Sequence, residues 1–190
     1  LEISKNKLYL VNSAWRLNML DEILEFKIGD NSLKLKKRIR PKTDYPFIHL
    51  NSICIKKNSI LLLYHNMTEY TKIPSQICEF DNSWKFLKIV ETEGLSSAHD
   101  INIIDKKISV LNSRHGIFLL GENKFNFPNK FLTGIDHDKK NYYLGLNTIT
   151  SRAQRKKAPS YLGIINKKTK KISSVLLPKT GKINALKILG

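Results

Sequence analysis

The sequence predicts an all-β fold: a β-propeller, or a segment of one, with about four four-stranded antiparallel blades. Three observations predict it. Four segments repeat a turn followed by an apolar strand: ISKNKLYLVNS from Ile3, IKKNSILLLYHN from Ile55, IDKKISVLNS from Ile104 and HDKKNYYLGLN from His137. Each is followed by a polar stretch and a second apolar strand: ILEFKI from Ile23, ICEFDN from Ile77, IFLLGE from Ile117 and YLGIIN from Tyr161. The average spacing is near the length of one four-stranded blade, and no amphipathic helix of more than about ten residues stands out.

Taken in order, the units are residues 1–44, 45–94, 95–129 and 130–181, with 182–190 starting a further inner strand. The first opens on the tail of an inner strand and turns at Lys5-Asn6. Helical spacing can be drawn through residues 15–26, the one stretch that competes with a strand reading. In the second, Leu61-Leu62-Leu63 is apolar at consecutive positions, as in a sheet covered on both faces. The third holds the clearest pattern, SSAHDINIIDKKISVLNSRHGIFLL: a His-led strand at 99–104, a Lys-rich turn, an apolar strand, a bend at 112–116 and another strand from Ile117. In the fourth, Tyr142-Tyr143-Leu144 repeats the doubly apolar pattern, and Asn166–Thr169 supplies a tight turn. A plain antiparallel sandwich is the rival architecture. Four units plus an inner strand favour a segment of a larger ring over a small closed one.

Composition bounds the partners. The net charge is +17, carried by 33 Lys and Arg against 16 Asp and Glu in 190 residues. That charge attracts nucleic acid, anionic membrane or acidic proteins. The lysines, however, are scattered through turns (56-57, 106-107, 139-140, 167-168, 170-171), where they are solvated and guard sheet edges. Scatter argues against a nucleic-acid interface. The two cysteines, Cys54 and Cys78, each lie in an apolar run; buried thiols fit a reducing compartment, and a cytoplasmic location is expected. No apolar run is long enough to span a bilayer. The opening LEISKNKLYLV has no Met or basic leader and reads as a cut end, which leaves an upstream signal open.

Strand alternation places the loops leading into the inner strands on the same face as the loops between second and third strands. That face collects the chemically able residues. His49 and His99 occupy equivalent places in HLNSI and HDINI, and Asn51, Asp100 and Asn102 follow them on the strands. Arg114 and His115 lie in NSRHG, and Asn147, Arg152 and Arg155 in the basic loop NTITSRAQRKKAPS. Guanidinium forks there suit phosphate or carboxylate. Each residue also has a structural reading: His49 and His99 as loop-to-blade ties, the basic loop as a solvated lid, and Gly116 as the reason for the NSRHG bend. Asp136 and Asp138 flank His137, but GIDHDKKN reads more simply as a strand ending in a polar turn. Catalytic signatures (GxSxG, a Gly-rich phosphate loop, HExxH, a Cys–His nucleophile) are missing from the sequence, so no catalytic residue, metal ligand or cofactor is assigned.

HLNSICI at His49, AHDINIIDKKISVLNSRHG at Ala98, FLTGIDHDKKNYYLGLNTITSR at Phe131, YLGIINKKTKKI at Tyr161 and the closing INALKILG occur in an order that resembles a group of NHL-like, six-bladed β-propeller proteins of uncharacterised function. The resemblance covers residues 47–190. Thr133 stands where the group has Arg, Asn147 where it has Ser, and 168–170 lacks the turn Gly. The resemblance implies a propeller fold and no reaction; by positional match it carries over His49, Asn51, His99, Asn147 and Arg152. The expectation is a binding propeller holding a small anionic ligand or a protein partner on its His/Arg-bearing face. The alternatives are a metal-dependent propeller hydrolase or lactonase with its site in the channel, and a binder of nucleic acid or anionic surfaces.

Overall fold

The computed structural model describes residues 1–13, 21–41, 48–66, 68–90, 94–151, 153–178 and 180–188. Two compact units, Leu1–Ser109 and Val110–Gly190, hold four four-stranded antiparallel sheets of blade type, each with its strands in chain order. The first sheet is β1 (Glu2–Ser4), β2 (Lys7–Asn12), β3 (Glu22–Ile28) and β4 (Leu33–Ile39). The second is β5 (Leu50–Ile55), β6 (Ile60–Tyr64), β7 (Gln76–Phe80) and β8 (Phe86–Val90), with a one-turn helix, Thr68–Thr71, between β6 and β7. The third is β9 (His99–Ile104), β10 (Lys107–Asn112), β11 (Ile117–Leu120) and β12 (Asn123–Asn126); the unit boundary falls within β10. The fourth is β13 (Lys130–His137), β14 (Asn141–Thr148), β15 (Ser160–Asn166) and β16 (Ile172–Leu177).

These strands form where β-branched and aromatic residues recur, and they end at Asx turns. Asp81 Oδ1 accepts the N–H groups of Ser83 and Lys85, Asp138 Oδ1 those of Lys140 and Asn141, and Asn166 Oδ1 those of Lys168 and Thr169. GIDHDKKN is therefore a strand running into a polar turn, with Tyr143 donating its hydroxyl to Asp138 Oδ2. Of the stretch with competing helical spacing, 22–26 belongs to β3, and 15–20 lies outside the described residues. No helix among the described residues is long and apolar enough to cross a membrane.

Every residue of β6 is buried, because both faces of its sheet are covered inside the first unit. One face, through Leu62, Tyr64, Cys78 and Phe80, joins a core with Tyr9, Ile23 and Ile39 of the first sheet. Leu61, Leu63 and Cys54 lie on the other face, and the Ile101 N–H donates to Ser52 Oγ at 3.2 Å to tie β9 there. Fully burying a leucine contributes about 2 kcal/mol, which accounts for the apolar triplet at 61–63. In the second unit, Phe118 stacks on Phe125 at 5.6 Å and meets Tyr142 edge-on at 5.7 Å. The last strands, β4 and β16, are mostly exposed. Residues 182–188 carry no strand of their own. They are fastened instead by side chains of the fourth sheet: Asn147 binds Ile183 through both its N–H and its carbonyl, and Asp136 Oδ2 accepts the Ile188 N–H.

Burial pushes the Cys54 thiol up to about 11 and the Cys78 thiol up to about 12. Unfolded thiols ionise near pH ~8.5, so above that pH the unfolded chain binds fewer protons than the folded one. Stability is thus undiminished below about pH 8.5 and falls as pH rises beyond it. Urea midpoints measured from pH 7 to 10 should decline, and both thiols of the folded protein should react with Ellman's reagent only as fast as the chain opens. Rapid labelling of the folded protein would contradict this placement.

Candidate functional site

In the first unit the register Leu50↔Tyr64 places His49 and His65 opposite one another, just beyond the paired strands, where the His65 N–H donates to the His49 carbonyl at 3.0 Å. Their rings meet edge to face at 5.2 Å, and His65 meets His99 in the same manner at 5.4 Å. Three half-buried imidazoles thus form one row, with an edge-to-face contact between each pair of neighbours. Hydrogen bonds fix the row at several points. Ser13 Oγ and His49 Nδ1 lie 3.0 Å apart. Because a carbonyl only accepts, the 2.8 Å contact from His99 Nδ1 to the Ser97 carbonyl puts the proton on Nδ1 and leaves Nε2 as the acceptor of the neutral ring. Ser75 joins the loops by donating to the His65 carbonyl at 2.9 Å and accepting the Ala98 N–H at 3.1 Å.

The backbone around the row is unusual. His49, Asn66, Ser97 and Asp100 all have left-handed angles, with φ of 60°, 53°, 48° and 51°. Such residues concentrate where surrounding structure holds a functional arrangement in place. Asn66 itself is buried and engaged, accepting from the Ile48 N–H and donating to the Pro74 carbonyl and Gln76 Oε1. Asn51 is the extra residue of a bulge between Leu50 and Ser52, and Asp100 holds a comparable position near the start of β9. Both are half-buried, as is Asn102. His49, Asn51, His99 and Asp100 therefore lie at the start of the inner strands, and Asn102 lies farther along β9. His65 completes the row; the sequence places it, in the loop after ILLLY, on the same face as His49 and His99. The signal for it was the hairpin register, which sets it across from His49. Among the described residues, no group of three or more His, Cys, Asp or Glu is arranged to hold a metal ion.

The remaining candidates belong to the second unit. Arg114 and His115 are exposed in a 3-10 turn at Ser113–His115. Arg152 lies outside the described residues. Arg155 is exposed at the mouth of a pocket lined also by Phe131, Ile149, Thr150, Ala158 and Lys182, and it has no ion-pair partner among the described residues. The Lys182 ammonium sits 5.2 Å from the centre of the Phe131 ring. The Thr150 hydroxyl in this pocket is buried without a hydrogen-bond partner among the described residues, a state that native structures rarely tolerate unless something else satisfies the group. Asn147 also lines the pocket, but its amide is fully engaged internally. Nδ2 donates to Thr133 Oγ1 at 2.7 Å and to the carbonyls of Ile183 and Phe131, while Oδ1 accepts from Ser160 Oγ and the Ile183 N–H. It acts as framework. Asp136, beside His137, is likewise framework: burial pushes its carboxyl up, but N–H donors from Ile188 and His137, with Lys187, outweigh that and hold it below the usual range. Sequence reasoning missed Thr150 and Lys182, since neither belongs to a recurring unit motif.

The pocket's chemistry, two cations over an apolar floor with an unsatisfied hydroxyl inside, suits a small anion with a short apolar body. No protein-family model matches the chain, and no curated protein matches it by sequence.

Proposed function

We propose that this chain is a non-catalytic binding domain, related to the NHL-like propellers by its short motifs, that holds a small carboxylate or phosphate in the Arg155 pocket. The observation that carries the reading is the buried Thr150 hydroxyl, without a partner among the described residues, in a pocket that Arg155 and Lys182 also line. An anionic oxygen there accepts from the hydroxyl and from a guanidinium, and Phe131 and Ile149 cover the rest of the ligand. The hydrolase alternative has no comparable observation behind it.

The test is calorimetric titration of the full chain with inorganic phosphate, sulfate and a series of short mono- and dicarboxylates. Saturable binding is expected, weakened about tenfold by Arg155→Ala, the range of one charge-assisted hydrogen bond. Thr150→Val should leave the melting temperature unchanged or raised, because it removes an orphan hydroxyl, yet weaken the same ligand. Affinity indifferent to both substitutions would take the pocket out of the reading.

A further inference from the structure

We propose that the first unit carries a cleft for single-stranded nucleic acid at the ends of its strands remote from the histidine row. Of the lysines spread along the chain, those of two turns are brought by antiparallel topology to the same end of the first two sheets. Lys5 is in the β1–β2 turn and Lys56-Lys57 in the β5–β6 turn. With Lys7 and Lys37 they line one open hollow. A second hollow shares Lys56 and Lys57 and adds Lys88, so the positive surface continues along the second sheet. Six lysines face two glutamates here. Glu25 pairs with Lys7 at 2.9 Å, and Glu79 with Lys56 at 3.0 Å and Lys88 at 3.7 Å. Lys5, Lys37 and Lys57 have no carboxylate partner among the described residues.

The aromatic wall decides which polyanion fits. Trp84 lines the hollow, half-buried, with its ring 6.1 Å from that of Tyr9. Its backbone is left-handed, at φ 70°, a conformation that a bulky residue adopts only when its surroundings impose it. The Asp81 turn imposes it: the Asp81 carbonyl accepts the Trp84 N–H at 3.0 Å, and Oδ1 accepts from Ser83 and Lys85 on either side. The indole packs against the core beside Tyr9, and its remaining exposed part lines the same hollow as Lys5, Lys37 and Lys57. Lysine point charges along a groove with an aromatic platform are the elements that bind single strands without reading sequence. An anionic membrane would take a tryptophan that projects from the surface, whereas this one is half-buried in the wall of a hollow, and an acidic peptide has no base to stack on it.

The experiment is fluorescence anisotropy of the full chain with a labelled oligothymidylate of about 20 nucleotides, at two salt concentrations, with tryptophan emission followed in parallel. Expected are saturable binding that weakens at least about tenfold between 50 and 200 mM salt and quenching of emission that Trp84→Phe abolishes. The triple variant Lys5→Gln/Lys37→Gln/Lys57→Gln should lose more than about tenfold in affinity. The matched variant Lys124→Gln/Lys168→Gln/Lys170→Gln, of equal net charge, should bind like the parent. Equal losses in the two triple variants would overturn the cleft in favour of diffuse charge. Absence of binding, or equally tight binding to phosphatidylserine vesicles or polyglutamate, would overturn the nucleic-acid assignment. None of these outcomes depends on the Arg155 pocket.

Discussion

Replacing Asn147 with aspartate is expected to destabilise the protein by about 4 kcal/mol, the range for leaving a charge buried and unpaired. The side chain is only 4% exposed, so a carboxylate there has little water to fall back on. The donor that serves Thr133, Phe131 and Ile183 would become an acceptor facing two backbone carbonyls. Only the Ser160 hydroxyl and the Ile183 N–H would still find a partner. The protonated acid restores one donor, so the introduced carboxyl should have a raised pKa, and the deficit relative to the parent should shrink as pH falls through it. Urea unfolding of both proteins between pH 4 and 8 measures this. Because a domain's stability is about 5–15 kcal/mol in total, the loss is conspicuous at pH 7. A variant as stable as the parent at every pH would return Asn147 to the role of a ligand group that folding does not need.

That expectation marks the limit of what the sequence carries. The four sheets were legible because strand alternation and turn residues are local signals: Leu61-Leu62-Leu63 announces a doubly covered strand, and Asp81, Asp138 and Asn166 announce turns by their own hydrogen bonds. Asn147 was singled out by its place in a short motif, whereas its principal partner, Ile183, lies 36 residues away in a segment whose strand-like sequence gives no sign of being held by side chains. The histidine row was half legible. His49 and His99 share a position in the repeat, but His65 enters through the cross-strand register, which a repeat pattern does not report. The placement of charge is only partly legible for a related reason. Lysines distant in the chain read as scatter, although turns such as 5–6 and 56–57 lie at the same end of neighbouring antiparallel sheets, and topology gathers what sequence separates.

Gly116→Ala should cost about 4 kcal/mol, again near the upper end for a single substitution, and the cause separates into two parts. Gly116 has φ 64° and closes the turn at Ser113–His115; a left-handed alanine costs about 1–2 kcal/mol from the backbone alone. The larger part is contact. A Cβ at this position would stand 2.2 Å from the Phe127 carbonyl oxygen and 2.8 Å from that of Lys130, main-chain atoms of the β12–β13 loop and of the first residue of β13. The Phe127 N–H also donates to the Gly116 carbonyl at 2.7 Å, so the loop cannot retreat without breaking that bond. Gly94 supplies the internal standard: its φ is 69°, but among the described residues nothing lies within 4 Å of its added Cβ. Gly94→Ala therefore reports the backbone part alone, about 1–2 kcal/mol. Thermal or urea unfolding of the two variants should differ by the contact part. Arg114→Ala, an exposed position in the same turn, should stay within about 0.5 kcal/mol of the parent. That pattern makes NSRHG a clamp between the third sheet and the strand that follows it. Equal costs at Gly116 and Gly94 would mean that nothing grips the bend, and would restore Arg114 and His115 as groups displayed for a ligand.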